Sequence, residues 1–153
     1  MRSNFGSERT DAMLRGISPV VSPELLKILC EMGHGDELVL ADSNFPGASM
    51  AKRLLRSDGL SIAALLEGIA PIFPFETYAD PLVMMKVDAD KKFDPAVEAD
   101  FMNAIRRYDP SVPAPIRIDR LAFYERARNA FGVLMTGETR LYGCLIIKKG
   151  VIE

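Results

Sequence analysis

The stretch "SPELLKILCEMGHGDELVLADSNFPG", residues 22–47, places a helix, a strand and a loop in immediate succession. Ser22 can cap the orphan amides of a helix start. Pro23 suits the first helical position, where no N–H is needed, and Glu24 favours the positive end of the helix dipole. Leu25, Leu26, Ile28 and Leu29 then form an apolar stripe, and Gly33 supplies a stop. Glu37 to Ala41 is a short apolar run bounded by turn residues, which reads as a buried strand. The segment DSNFPGAS follows as a loop.

The same alternation continues outward. Lys52 to Arg56 reads as a short strand ended by Ser57-Asp58-Gly59. Ser61 to Ile69 reads as a helix closed by Pro71 and Pro74, and Pro81 to Val87 ("PLVMMKV") as another buried strand. Asp94-Pro95 opens a helix to about Tyr108; Pro110, Pro113 and Pro115 make a rigid connector before a strand at Ile116 to Ile118. Leu121 to Phe131 is helical, and Gly132 to Thr136 and Leu141 to Lys148 are the last two strands. Their linkage through Gly137-Glu138 predicts a tight turn and a local antiparallel pair. Short apolar strands alternating with helices predict an α/β fold: one three-layer domain, with a mixed, mostly parallel sheet covered by helices on both faces.

Composition narrows the function. With 153 residues, 48% of them hydrophobic, the chain is long enough for a proper core, and its net charge of −2 argues against a polyanionic partner. Lys52-Arg53-Arg56 and Arg106-Arg107 are the densest basic clusters, and neither forms the stripe that nucleic acid requires. No stretch approaches the roughly 20 apolar residues that span a bilayer. Residues 1–12, MRSNFGSERTDA, have no hydrophobic centre and read as a disordered extension, leaving 13–153 as the domain. Cys30 and Cys144 are too few and too far apart for a disulfide framework or a zinc cluster; two reduced thiols are expected.

The chain has one histidine, His34, flanked by Gly33 and Gly35 just past a helix end. Isolated histidines are usually surface or core residues with a local hydrogen bond. The two glycines, however, leave this ring unshielded, and imidazole both donates and accepts a proton near neutral pH. Asp42 sits at the carboxyl end of a predicted strand, the edge where open α/β sheets gather ligands, although an aspartate there can equally satisfy its own loop amides. Arg120 and Tyr124, four residues apart in "RIDRLAFYERARNAF", share a helix face near another strand end. Tyr142-Gly143-Cys144 places a glycine inside a strand pattern, which suggests a bulge or a close backbone approach. "GHG" lacks a dinucleotide fingerprint, there is no Walker sequence, and there is no nucleophile elbow. One histidine without cysteine or carboxylate at ligand spacing makes no zinc site. What survives is proton-shuttle chemistry on a hydroxylated ligand, with no cofactor and no metal.

"SPELLK", "MGHGDE", "FYERA" and "TGE…YG…KKG", in this order, closely resemble the fucose mutarotase branch of the ribose pyranase/fucose mutarotase family, over Met13 to Val151. The resemblance implies a cofactor-free, cytoplasmic, homo-oligomeric isomerase, often a decameric ring, that interconverts the α and β anomers of L-fucose. It implies that His34 transfers the proton, and that Asp42, Arg120, Tyr142, Gly143 and Cys144, together with Tyr124, meet the sugar. Cys144 stands where the family usually has Asn, and Asn44 where many relatives carry a second His. A ribose pyranase, or a non-catalytic sugar-binding or regulatory module, are the alternatives; "FYERA" and Arg120 favour the fucose branch.

Spacing raises one difficulty. Asp42 lies eight positions after His34, a reach of roughly 26 Å if extended at about 3.3 Å each. Either the flanking loops fold back, or a neighbouring subunit completes each pocket.

Overall fold

The computed structural model describes residues 13–153, so the expected extension at 1–12 lies outside the described residues. The elements run α1 (Pro23–Glu31), β1 (Glu37–Ala41), α2 (Gly47–Met50), β2 (Leu54–Ser57), α3 (Ile62–Ile69), β3 (Leu82–Met85), α4 (Ala96–Arg106), β4 (Ile116–Ile118), α5 (Arg120–Asn129), β5 (Gly132–Thr136) and β6 (Leu145–Lys148). Helix starts follow the chemistry of the sequence. Ser22, Ser61 and Asp119 each accept an amide three residues on, from Leu25, Ala64 and Ala122, and such caps are worth about 1 kcal/mol each.

The strands form one six-stranded sheet in the order β2-β5-β1-β6-β3-β4. The pairs β1/β5, β2/β5 and β3/β4 are parallel, and β6 runs antiparallel between β1 and β3. Side chains alternate across the sheet and bury both faces. Leu38, Leu40, Leu82, Met84, Leu134, Leu145 and Ile147 pack in one core with α1, α3 and α4. Val39, Ala41, Val83, Met85, Val133 and Ile146 face the other, under Phe123 and Ala127 of α5. The α/β three-layer arrangement with a mixed, mostly parallel sheet is therefore as the sequence predicts. No described helix is long and apolar enough to cross a membrane.

One expectation is overturned: β5 and β6 do not form a hairpin. Both neighbours of β5 are parallel strands, and the chain between Gly137 and Cys144 is a broad loop rather than a tight turn. Gly137 donates its amide to Leu60 O (2.7 Å), and a Cβ there would lie 2.4 Å from Asp58 O, so the chain leaves β5 toward the end of β2. Glu138 O then accepts the Ser43 amide (2.8 Å), which carries the loop across the end of β1 before β6 descends on β1's far side. Leu141 and Tyr142 consequently belong to this loop, not to β6. The stretch expected to be loop throughout, DSNFPGAS, contains the short α2, whose Gly47 is pressed against the Met135 side chain of β5.

Candidate active site

The two ends of β1 carry different chemistry. At its amino end, α1 stops at Glu31, and Lys149 Nζ caps the carbonyls of Leu29 (2.7 Å) and Met32 (2.6 Å). Gly33 donates its amide to Asp36 Oδ2 (2.7 Å) and Gly35 to Lys149 O (2.8 Å). Gly35 takes φ +88°, a left-handed conformation that a side chain would strain. This turn projects His34 outward, its side chain 45% exposed.

The imidazole is held from behind. His34 Nε2 lies 3.1 Å from Oε1 and 2.9 Å from Oε2 of Glu76. Glu76 is buried, and its Oε1 also accepts the amides of Thr77 (2.9 Å) and Tyr78 (3.1 Å). Burial works to raise the pKa of this carboxyl. The Tyr78 amide, the His34 imidazole and the Thr77 amide together outweigh it and hold the group below the usual carboxylate range. An ionised carboxylate only accepts hydrogen bonds, so Nε2 carries the proton in neutral imidazole and Nδ1 is left as the base. The Tyr78 ring leans over the imidazole with centroids 5.8 Å apart.

At the carboxyl end of β1, an open cleft of about 330 Å³ is lined by Asp42, Arg120, Tyr124, Tyr142 and Cys144, together with Lys91. Asp42 Oδ1 accepts the Asn44 amide (3.0 Å), and the Asp42 amide donates to Cys144 Sγ (3.3 Å). Asp42 is thus both an Asx-turn residue and a wall of the cleft. Burial raises its pKa; the amides of Asn44, Gly143 and Phe45 and the Cys144 thiol pull the other way without cancelling it. Burial, and then the neighbouring Asp42 charge, push the Cys144 thiol well above its ordinary range, so it remains a protonated, weak donor.

The remaining groups are positioned by the loops around this edge. Arg120 opens α5 directly after its Asp119 cap, and neither Arg120 nor Lys91 has an ion-pair partner among the described residues. Tyr124 packs edge-on against Phe45, with centroids 5.5 Å apart. Tyr142 takes φ +59°, and its hydroxyl donates to Asp88 Oδ2 (3.3 Å). Gly143 sits where a Cβ would approach Arg140 O to 2.8 Å.

The structure therefore brings together Asp42, Arg120, Tyr124, Tyr142, Gly143 and Cys144, and leaves His34 apart from them within the chain. The loops do not fold back: β1 stands between the two groups, with on the order of 15 Å of strand separating them. Sequence reasoning missed Glu76, Tyr78 and Lys91. Nothing in the spacing links position 34 to position 76. The only signal for Glu76 is that it is the lone charge between Gly68 and Ala79, in an otherwise apolar, proline-rich connector.

The sequence profile of the RbsD / FucU transport protein family matches residues 15–152. An L-fucose mutarotase of Histophilus somni (strain 129Pt) is 54% identical over 140 residues, covering 91% of this chain and 97% of that protein. The crystal structure of the fucose mutarotase in complex with L-fucose from Streptococcus pneumoniae superposes with a TM-score of 0.86 at 40% identity, covering 92% of this chain and all of that one (100%). The structure of FucU from Bifidobacterium longum gives a TM-score of 0.84 at 42% identity, over 91% of this chain and 100% of that one.

Proposed function

The chain belongs to the RbsD / FucU transport protein family, and on that premise we propose that residues 13–153 form an L-fucose mutarotase domain. It is a cofactor-free isomerase that interconverts the α and β anomers of the free sugar. The observation that carries the chemistry is the His34–Glu76 hydrogen bond, which fixes the tautomer and leaves Nδ1 as the base on an exposed ring.

Mutarotation opens a hemiacetal and recloses it on the other face. The anomeric hydroxyl loses a proton, the bond between the anomeric carbon and the ring oxygen breaks, and the ring oxygen gains a proton. In the open aldehyde the carbonyl turns, and closure reverses these transfers. His34 takes the proton at one of these two oxygens and, as imidazolium beside Glu76, returns it; water or a tyrosine hydroxyl serves the other oxygen. Asp42 and Arg120 orient the sugar through its hydroxyls by charge-assisted hydrogen bonds, and Tyr124 and Tyr142 complete the cleft.

Because His34 stands at one end of β1 and the Asp42 cleft at the other, each working site takes His34 from one subunit and the cleft from its neighbour. The functional unit is then a homo-oligomer, such as the decameric ring that the family resemblance implies, acting in the cytoplasm. NMR saturation transfer on a panel of sugars tests the function. Anomer exchange on L-fucose that disappears in His34→Ala supports it. Binding without exchange, or exchange on D-ribose alone, would replace it.

A further inference from the structure

We propose that Asp100, Arg140 and Glu138 form a positioning unit that sets the sugar-binding loops in place before any sugar arrives. None of the three lines the cleft. Arg140 Nε and one terminal nitrogen donate to the two Glu138 oxygens (2.8 and 3.2 Å), and the other terminal nitrogen donates to Asp100 Oδ2 of α4 (2.7 Å). The loop that carries Tyr142, Gly143 and Cys144 is in this way tied to a helix across the fold.

Glu138 extends the tie to the other sugar-binding loop. Its carbonyl accepts the Ser43 amide (2.8 Å), next to Asp42. Its amide donates to Thr136 Oγ1 (3.1 Å), whose hydroxyl donates to Ala41 O (2.7 Å) at the end of β1. Gly143 is pinned from the same side: a Cβ there would lie 2.8 Å from Arg140 O and 3.0 Å from Glu138 Cγ. Glu138 thus joins the two segments that supply Asp42 and Tyr142–Cys144, alongside the direct bond from the Asp42 amide to Cys144 Sγ (3.3 Å).

Two physical points favour positioning over bulk stability. The Glu138 side chain is only 4% exposed and its Arg140 partner 29%, and an ion pair buried at its carboxylate end is a poor way to stabilise a fold, since apolar replacements of buried pairs often do better. What such a pair does supply is a directional constraint. Tyr142, with φ +59°, needs one, because a left-handed non-glycine residue is strained and stays put only where its surroundings hold it.

The assignment rests on the Asp42 cleft being the sugar site, and the test separates the two ideas. Asp100→Asn and Arg140→Lys are compared with the unsubstituted protein in two measurements. The first is hydrogen exchange at the Ser43 amide without sugar, and the second is KM and kcat for L-fucose anomer exchange. Exchange at Ser43 is expected to quicken about tenfold, the equivalent of one charge-assisted hydrogen bond, with KM rising by a similar factor and kcat within about threefold. Unchanged Ser43 exchange in Asp100→Asn overturns the positioning unit whatever the enzyme acts on. Faster Ser43 exchange with unchanged KM also overturns it, by removing the sugar site from its reach. If Arg140→Lys does not fold, Asp100→Asn decides alone, since Asp100 is 46% exposed on its helix. Absence of any turnover in the unsubstituted protein sinks the functional reading instead, and Ser43 exchange then still judges the positioning unit.

Discussion

His34 Nε2 lies 2.9 Å from Glu76 Oε2, joining an exposed ring to a buried carboxylate 42 positions along the chain. The carboxylate chooses which imidazole nitrogen is basic. Glu76→Gln keeps an oxygen for the Thr77 and Tyr78 amides but offers the ring no charge. Anomer exchange is expected to fall about 10- to 100-fold, less than the roughly hundred- to ten-thousand-fold that general acid–base help supplies in full, because the imidazole itself remains, as measured by saturation transfer. An unchanged rate would remove Glu76 from the proton transfer.

The two carboxyls have opposite linkage to pH. Glu76 sits below its usual value of 4.5 in the folded protein. Its contribution to stability is therefore present above that value and is lost as pH falls through the lower folded pKa. Asp42 sits above its usual value of 3.8 because of burial. Its favourable state is the protonated one, so its contribution is complete below 3.8 and fades as pH rises through the raised folded value. Thermal melts across pH 3 to 8 should show Asp42→Asn melting higher than the unsubstituted protein at neutral pH, with the gap closing in acid. Glu76→Gln should melt lower at neutral pH, again with the gap closing in acid. A gap of constant size would contradict either assignment.

Cys144 and Cys30 should react differently. Cys30 is exposed, whereas Cys144 is buried with its thiol held protonated beside Asp42. Alkylation at neutral pH followed by mass analysis should label one of the two thiols in folded protein and both in denaturant. Cys144→Ala leaves the Asp42 amide without its sulfur partner, which should cost about 1 kcal/mol in a denaturant titration and weaken sugar binding severalfold. Ready labelling of Cys144 in the folded state would contradict the burial that holds its thiol protonated.

Gly143→Ala probes the closest backbone approach around the cleft. The new methyl would meet Arg140 O at 2.8 Å and Glu138 Cγ at 3.0 Å, so the loop must shift. Activity should drop more than about tenfold, because sub-ångström misplacement of binding groups is expensive in rate. Stability should fall by only about 1–3 kcal/mol. Full activity would show that the loop is free to move.

Much of the fold was legible because local rules and tertiary packing agree. Ser22, Ser61 and Asp119 cap where capping residues should, and β1, β3 and β5 are buried on both faces, as their unbroken apolar runs imply. The order of strands was not legible. "TGETRLYGC" looks like a hairpin link, and only the contacts of Gly137 with Leu60 and of Glu138 with Ser43 show that it crosses β1. Asp42, Arg120, Tyr124, Tyr142 and Cys144, singled out in the sequence, line one cleft because loops after parallel strands converge on one sheet edge, whereas Lys91 on the same wall was not singled out. The partner of His34 was not, because a contact between positions 34 and 76 leaves no periodic trace in sequence.

The shared site is the claim on which the mechanism turns, and subunit complementation tests it most directly. His34→Ala and Asp42→Asn chains are co-expressed and purified as mixed oligomers. Their L-fucose anomer exchange is then compared with that of each variant alone. If His34 of one subunit serves the Asp42 cleft of the next, random mixing leaves about a quarter of the sites intact, and about a quarter of the normal rate should return. Mixed oligomers no more active than either parent would contradict the account.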